Sequence, residues 1–234
     1  MGERLDKFLA SQGLGTRKEV GKLIRSGAVL VNGAPQRDPG AKVEPGADRV
    51  TAQGEEIRYQ EFLTIMLNKP AGVLSATEDR RQTTVLDQLP EGLRRRGLFP
   101  AGRLDKDTTG LLLITDDGEL AHKMLSPKSH VYKQYRAQLD APVEEADIQA
   151  FAAGVAWEGE QYAPARLWVE QDPRAAFVEI REGRFHQVKR MFQARGKTVL
   201  QLKRLKIGGL WLDSTLQEGE CRLLTPQEIQ AIFH

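Results

Sequence analysis

Gly102-Arg103-Leu104-Asp105-Lys106-Asp107-Thr108-Thr109-Gly110-Leu111, continued by Leu112-Leu113-Ile114, sets a charged loop directly against an apolar run. Residues 111–114 read as a buried strand, because four consecutive apolar residues leave no polar face for solvent. The loop is therefore anchored, and it carries a carboxylate, Asp105, beside two cations, Arg103 and Lys106. A carboxylate held in that way can do chemistry. Its plainer role would be an Asx-turn or a surface ion pair, and for a lone aspartate that is the better reading.

Working outward, further strand-like runs fall at 62–67, 73–75, 133–139, 165–169, 176–180 and 198–207, with the segment Asn68-Lys69-Pro70-Ala71-Gly72 as a turn. Helical stretches fall near 118–125, 144–153, 184–195 and 226–232. Strands and helices do not alternate strictly, which predicts an α+β fold with a mainly antiparallel mixed sheet flanked by helices. At 234 residues and 40% apolar content the chain can bury one good core and has room for a small second domain. There are no internal repeats and no low-complexity tract.

The net charge of +2 excludes nothing, but its distribution is uneven. Residues 181–206 hold nine Lys and Arg against one acid, Glu182, a net of +8; residues 138–172 hold eight acids against one base, Arg166, a net of −7. Cys221 is the only cysteine, which rules out an intrachain disulfide and a multi-cysteine zinc site and suits a reducing compartment. Charges at Glu3, Arg4, Asp6 and Lys7 interrupt any apolar leader, so a cytoplasmic location is expected, with no membrane segment.

Near the start, Thr16 with Glu19 is a capping-box signal for a helix running to about Ser26, where Gly27 stops it. On that helix Val20, Leu23 and Ile24 share one face, while Lys18, Lys22 and Arg25 fall within an arc of about 60° on the other at roughly 100° per residue. Leu5, Phe8 and Leu9 suggest a short helix before it, and Asn32-Gly33 marks a hairpin. The order of these elements, from Arg4-Leu5-Asp6-Lys7-Phe8-Leu9 to Val29-Leu30-Val31-Asn32-Gly33, resembles the S4 RNA-binding domain. That resemblance implies a small α/β domain over residues 1–58, with Arg4, Arg17, Lys18, Lys22 and Arg25 as RNA contacts. The polar stretch 51–60 reads as the linker to a second domain over 59–234.

Several tempting motifs fail. Gly196-Lys197-Thr198 would end a phosphate-binding loop only if residue 191 were glycine, and it is Met191. Asp116 with Glu119 reads as a helix N-cap rather than a metal loop. His122, His130, His186 and His234 lack metal-ligand spacing, and neither a metal nor a cofactor is expected. Asp105 caps no helix, and Asp107 has no partner that the sequence points to. A second candidate is Glu182-Gly183-Arg184-Phe185-His186-Gln187-Val188-Lys189-Arg190-Met191-Phe192. Read as a helix from Arg184, it groups Phe185, Val188 and Phe192 on an apolar face with Lys189 only about 40° from Phe185, at that face's edge. A lysine there snorkels out or meets a carboxylate. His186 and Arg190 point further round, toward a polyanion, and Arg184 is counted with them as an RNA contact.

Gly-Arg-Leu-Asp with Asp-Thr-Thr-Gly-Leu at 102–111, Lys133-Gln134-Tyr135, and Gly-Arg-Phe-His-Gln-Val-Lys-Arg-Met-Phe at 183–192 together resemble the motifs of the ribosomal small-subunit pseudouridine synthase (RsuA) family, an S4-like domain in front included. The likeness covers nearly the whole chain. It implies Asp105 as catalytic aspartate, Tyr135 packed on the target base, Lys189 as the cation paired with the aspartate, Arg103 on the flipped nucleotide's phosphate and Leu202 beneath the site. It further implies an isomerase acting on 16S ribosomal RNA, at uridine 516, free or in an assembling 30S particle, as a monomer. The reaction breaks the ribose C1′–N1 bond, turns the base and rejoins C1′ to C5; it needs an ionised carboxylate, kept charged by a neighbouring cation, and an extruded base stacked on an aromatic ring. The alternatives are a non-catalytic RNA-binding or ribosome-assembly factor, a related synthase acting on 23S rRNA, and a glycoside hydrolase using Asp105 and Asp107. The last is disfavoured by an aromatic content of only 6%.

Overall fold

The computed structural model of the protein describes every residue except Met1, Arg58 and Arg96, with Pro127 described for its backbone alone. The described residues fall into two compact units, residues 1–63 with 89–98, and residues 64–88 with 99–234.

In the first unit β1 (Glu3–Arg4) leads into α1 (Leu5–Ser11) and α2 (Arg17–Arg25). Both halves of the Thr16–Glu19 capping box form, so the α2 start lies where its signal places it. Then come β2 (Val29–Val31), β3 (Ala34–Pro35), β4 (Lys42–Val43), β5 (Val50–Ala52) and β6 (Glu55–Ile57). Four of these pair antiparallel in the order β3-β2-β5-β6, and β1 pairs with β4. Leu5, Phe8, Leu9, Val20, Ile24 and Val29 are buried together as the core of this unit. The stretch expected to be a linker is instead largely the β5–β6 hairpin. Gln53 and Gly54 turn it with φ of 53° and 87°, as Asn32 and Gly33 do in the earlier hairpin with 52° and 82°. Its strands are short and half solvated, so their composition is polar.

The second unit contains β7 (Thr64–Lys69), β8 (Phe99–Pro100), β9 (Thr109–Thr115), α3 (Gly118–Leu125), β10 (Lys133–Leu139) and α4 (Glu145–Ala153). It continues with β11 (Ala156–Trp157), β12 (Glu160–Gln161), β13 (Arg166–Val169), β14 (Ala175–Ile180) and α5 (Gln187–Gln193), then β15 (Val199–Ile207), β16 (Leu210–Trp211), β17 (Cys221–Leu223) and α6 (Pro226–Ala231). Nine strands make one sheet in the order β13-β14-β10-β15-β9-β7-β17, with β16 on β15 and β8 on β9. Every pairing in it is antiparallel except β15 with β9, so the sheet is mixed and mainly antiparallel. Among the described residues, no helix is long and apolar enough to cross a membrane.

Three local readings are corrected. Residues 73–75 form no strand, only a bridge from Leu74 to Thr84. The α3 cap is Asp117, which accepts from the Leu120 amide at 2.9 Å, one residue later than read, because Asp116 lies one peptide short of that reach. Finally, α5 begins at Gln187, not at Arg184, since His186 takes a left-handed φ of 52° that a continuing helix cannot accept. Phe185 therefore leaves the apolar face assigned to it: it is 67% exposed and stacks on the His186 ring at 3.8 Å.

Candidate active site

The Asp105 loop is fastened by the last residue of β7, which the sequence reads as part of a turn, and by the turn that follows it. Lys69, fully buried, donates its ammonium hydrogens to the carbonyls of Pro70, Lys106 and Thr108 at 2.9, 3.2 and 3.0 Å. Burial pulls its pKa down to about 8, against the pull of Asp107 and Asp105. The Gly72 amide donates to the Lys106 carbonyl, and the Ser75 hydroxyl both accepts from the Leu104 amide and donates to the Leu104 carbonyl. The loop is thus fixed through its own backbone, which leaves the Asp105 side chain available to a cleft.

Gly110 permits this placement. Its φ is 98°, and a Cβ there would lie 2.2 Å from the Arg204 carbonyl oxygen and 2.8 Å from the Arg204 nitrogen. Only glycine lets β9 run so close to β15, where Thr109 and Gly110 pair with Lys203 and Arg204. That pairing brings Leu202 up to the loop.

Asp105, Arg103, Tyr135, Leu202, Arg184 and His186 line one cleft. Lys189 adjoins it from α5: its ammonium is 3.1 Å from Asp105 Oδ2 and 2.5 Å from Asp107 Oδ1. Asp107, for which the sequence pointed to no partner, therefore shares the lysine with Asp105. The turn at Lys106 brings both carboxylates round to the same helix edge, which their spacing does not disclose. The hydrogen bond from Lys189 holds the Asp107 carboxyl below the usual carboxylate range. Burial works against the Lys189 charge, but its bonds to Asp107 and then Asp105 outweigh burial and raise its pKa. His186 Nε2 stands 3.5 Å from Asp105 Oδ1, so this ring faces the aspartate as well as solvent.

Tyr135 and Leu202 are buried in the cleft wall. Behind Tyr135, buried Arg204 donates from Nε to the Leu111 carbonyl at 2.7 Å and approaches the Tyr135 hydroxyl at 3.5 Å. Arg204 Nη2 and the Thr108 hydroxyl are buried without a hydrogen-bond partner, and Thr108 lines the cleft. A buried unpaired polar group costs about 1–3 kcal/mol, so a cleft edged with one is suited to a polar ligand. Lys69, Thr108 and Arg204 were missed in the sequence. Thr108 had a signal, since it sits within Asp-Thr-Thr-Gly; Lys69 and Arg204 bond mainly to backbone carbonyls, which leave no trace in side-chain spacing. Glu182, the one acid of the basic stretch, proves to be its anchor, accepting from the Ala163 amide and the Gln187 side chain at 2.8 Å each.

The remaining cations are dispersed. Arg190 points its Nη1 to the Tyr162 hydroxyl at 3.5 Å and lies over the Phe185 ring. Arg184 is ion-paired with Glu160. In the first unit Lys18, Lys22 and Arg25 are exposed along α2. Arg4 and Arg17 are committed to Asp6, each at 3.0 Å, and the Arg4 hydrogen bond leads in holding that carboxyl at about 2.

The second unit thus holds a cleft edged by a carboxylate and an ammonium on a mixed sheet, and α2 of the first unit exposes a cationic face. Residues 63–194 match the family model of RNA pseudouridylate synthase, and residues 3–48 match the S4 domain. An uncharacterized RNA pseudouridine synthase of Bacillus subtilis is 46% identical over 98% of both chains. Ribosomal small subunit pseudouridine synthase A of Escherichia coli is 42% identical, over 98% of this chain and 99% of that protein. A crystal structure of a pseudouridylate synthase, 40% identical, superposes over 98% of this chain and 99% of that one with a TM-score of 0.67. The chain belongs to the RNA pseudouridylate synthase family, a family of isomerases, and carries an S4 RNA-binding domain.

Proposed function

We propose that this chain converts one uridine of small-subunit ribosomal RNA to pseudouridine, uridine 516 of the 16S molecule, with Asp105 as the catalytic carboxylate. The observation that carries this reading is the pairing of Asp105 with Lys189 at 3.1 Å beside buried Tyr135 in one cleft. The identity of 42% with two proteins named ribosomal small subunit pseudouridine synthase A supports the choice of RNA.

The target uridine leaves the stack and enters the cleft, where the Tyr135 ring replaces its lost stacking. Arg103, exposed at the rim, meets the phosphate of the flipped nucleotide. The Asp105 carboxylate acts at the sugar or base as nucleophile or base, and the C1′–N1 bond breaks. The uracil turns, C1′ joins C5, the hydrogen on C5 departs as a proton, and N1 gains one. Atoms balance without an outside reagent. Lys189 holds the Asp105 carboxylate from α5, and Leu202 supports the base from beneath. The region within residues 1–58 grips RNA through Lys18, Lys22 and Arg25, with Arg4 and Arg17 beside them. Residues 59–234 carry the chemistry, with Arg184, His186 and Arg190 as further phosphate contacts. The chain acts in the cytoplasm as a monomer on free rRNA or an assembling 30S particle.

The test is Asp105→Asn with rRNA labelled by tritium at uridine C5. Tritium release falls to background while RNA binding stays within about threefold of the parent, because one neutralised cleft residue removes chemistry and not the phosphate contacts. Turnover near the parent rate would overturn the role of Asp105. Mapping pseudouridines in rRNA from cells with and without the protein tests the substrate, and a missing modification in 23S rRNA instead would overturn the small-subunit assignment.

A further inference from the structure

Consecutive residues of a strand point to opposite faces of its sheet. Lys69 reaches under the Asp105 loop, so Asn68 faces the reverse side; Leu202 lines the catalytic cleft, so Lys203 does too. On that reverse side Asn68, Lys203, Leu205, Trp211, Leu212 and Leu216 surround a depression of about 290 Å³. No step of the proposed chemistry uses it.

Its floor carries an unmet need. Asn68 is 3% exposed, and its Nδ2 donates to the Leu216 carbonyl at 2.8 Å, which fixes the amide so that Oδ1 is the free end. That oxygen is buried with no hydrogen-bond partner. It lies below the lining, so the contacts open to a ligand are those of the wall. The wall supplies a flat partner, since Trp211 is 53% exposed, with the Lys206 ammonium 5.2 Å from its ring centroid. The one acid of the lining, Asp213, is tied to Arg222 at 2.6 Å and to the Thr215 hydroxyl at 2.7 Å, so Lys203 sets the local sign of charge.

The same face continues as a track. Register places Trp168 opposite Phe177, Phe177 opposite Arg136 and Arg136 opposite Lys203, and directly opposed residues share a face. Trp168 and Phe177 stack with centroids 5.5 Å apart, and Arg136 is joined to Glu170. Aromatic rings interleaved with cations are what an unpaired nucleic-acid strand needs, rings for its bases and cations for its phosphates.

We infer that the reverse face of the sheet binds a single-stranded segment of the substrate RNA, with one extruded base stacked on Trp211. Trp211 covers the ring of that base, and Lys203 and Lys206 meet the flanking phosphates. This rests on the chain acting on a structured RNA, not on which uridine it modifies.

The experiment compares Trp211→Ala and Trp211→Phe with the parent protein on a long rRNA fragment, reading both filter binding and tritium release. Trp211→Ala weakens binding and raises KM about tenfold, the effect of one lost stacking partner, while Trp211→Phe stays within about twofold. Unchanged binding with Trp211→Ala would overturn the inference. Because binding is read separately from release, failure here is distinct from failure of the proposed modification. A second measurement keeps the parent sequence: the Trp211 indole resonance is followed while the rRNA fragment, or AMP or CMP alone, is added. It shifts with the fragment; a response to the mononucleotides and none to the fragment would reassign the pocket to free nucleotides and overturn the RNA reading.

Discussion

At the scale of single residues, the decisive contact is one ammonium shared by two carboxylates. Lys189 lies 3.1 Å from Asp105 and 2.5 Å from Asp107, and two carboxylates so near each other tolerate their charge through the cation between them. Lys189→Met is expected to lower the rate of tritium release by about 10- to 100-fold, the loss expected for a charge-assisted hydrogen bond worth roughly 1.5–3 kcal/mol, with Lys189→Arg falling less because the charge is kept. The same variant moves Asp107. Its carboxyl is held low chiefly by the Lys189 hydrogen bond, so without that bond its titration shifts upward toward the ordinary carboxylate range, visible by carboxyl NMR. A Lys189→Met enzyme of parent activity would remove the lysine from the site. The meeting of Asp105 with Lys189 was readable in advance because both lie in specific motifs, not from the helix face, since Phe185, which set that face's edge, lies outside α5 and is exposed. The claim of Asp107 on the same lysine was not, since a loop's path is set by backbone bonds such as those from Lys69.

At the scale of elements, hydrophobic periodicity and capping carried most of the reading. The Thr16 box, the strands 133–139 and 176–180 and the helix after residue 117 rest on side chains that must be buried or must cap, and the structure has them within a residue or so. Where backbone conformation decided, the sequence was silent: the left-handed His186 that starts α5 late, and the Gln53-Gly54 turn hidden in a polar stretch. Gly110 joins these two kinds of information, as a glycine visible in the motif whose reason appears only where β9 meets β15. Gly110→Ala places a methyl 2.2 Å from the Arg204 carbonyl oxygen at a φ of 98°, so β15 must withdraw and carry Leu202 from the cleft. The expected result is a loss of stability of about 2 kcal/mol or more in urea unfolding, as for strain at a positive-φ position, together with an activity loss larger than the unfolded fraction accounts for. Parent-like stability would show that the strand contact is looser than it is drawn.

At the scale of the whole molecule, the two opposed charge blocks of the sequence turn out to be partly spent on each other. Asp147 binds Arg195 at 3.0 Å and Lys197 at 2.7 Å, and Glu160 binds Arg184. The net of +8 over residues 181–206 therefore overstates the charge available to RNA, and Arg4 and Arg17 in the first unit are likewise engaged with Asp6. Lys18, Lys22 and Arg25 on α2 differ, because they stand exposed opposite the buried Val20 and Ile24, so replacing them leaves the core of that unit intact. Each cation that displaces a counterion from a phosphate adds about one to the slope of log K against log salt. The triple variant Lys18→Ala, Lys22→Ala, Arg25→Ala is expected to bind the rRNA fragment more weakly at low salt and to lower that slope by about 2 to 3, measured by filter binding across a KCl series. Its kcat at saturating RNA stays near the parent value, since the cleft around Asp105 lies wholly in the second unit. A slope equal to that of the parent would mean that α2 does not lie on phosphates, and the grip on RNA would then fall to the cations of the second unit alone.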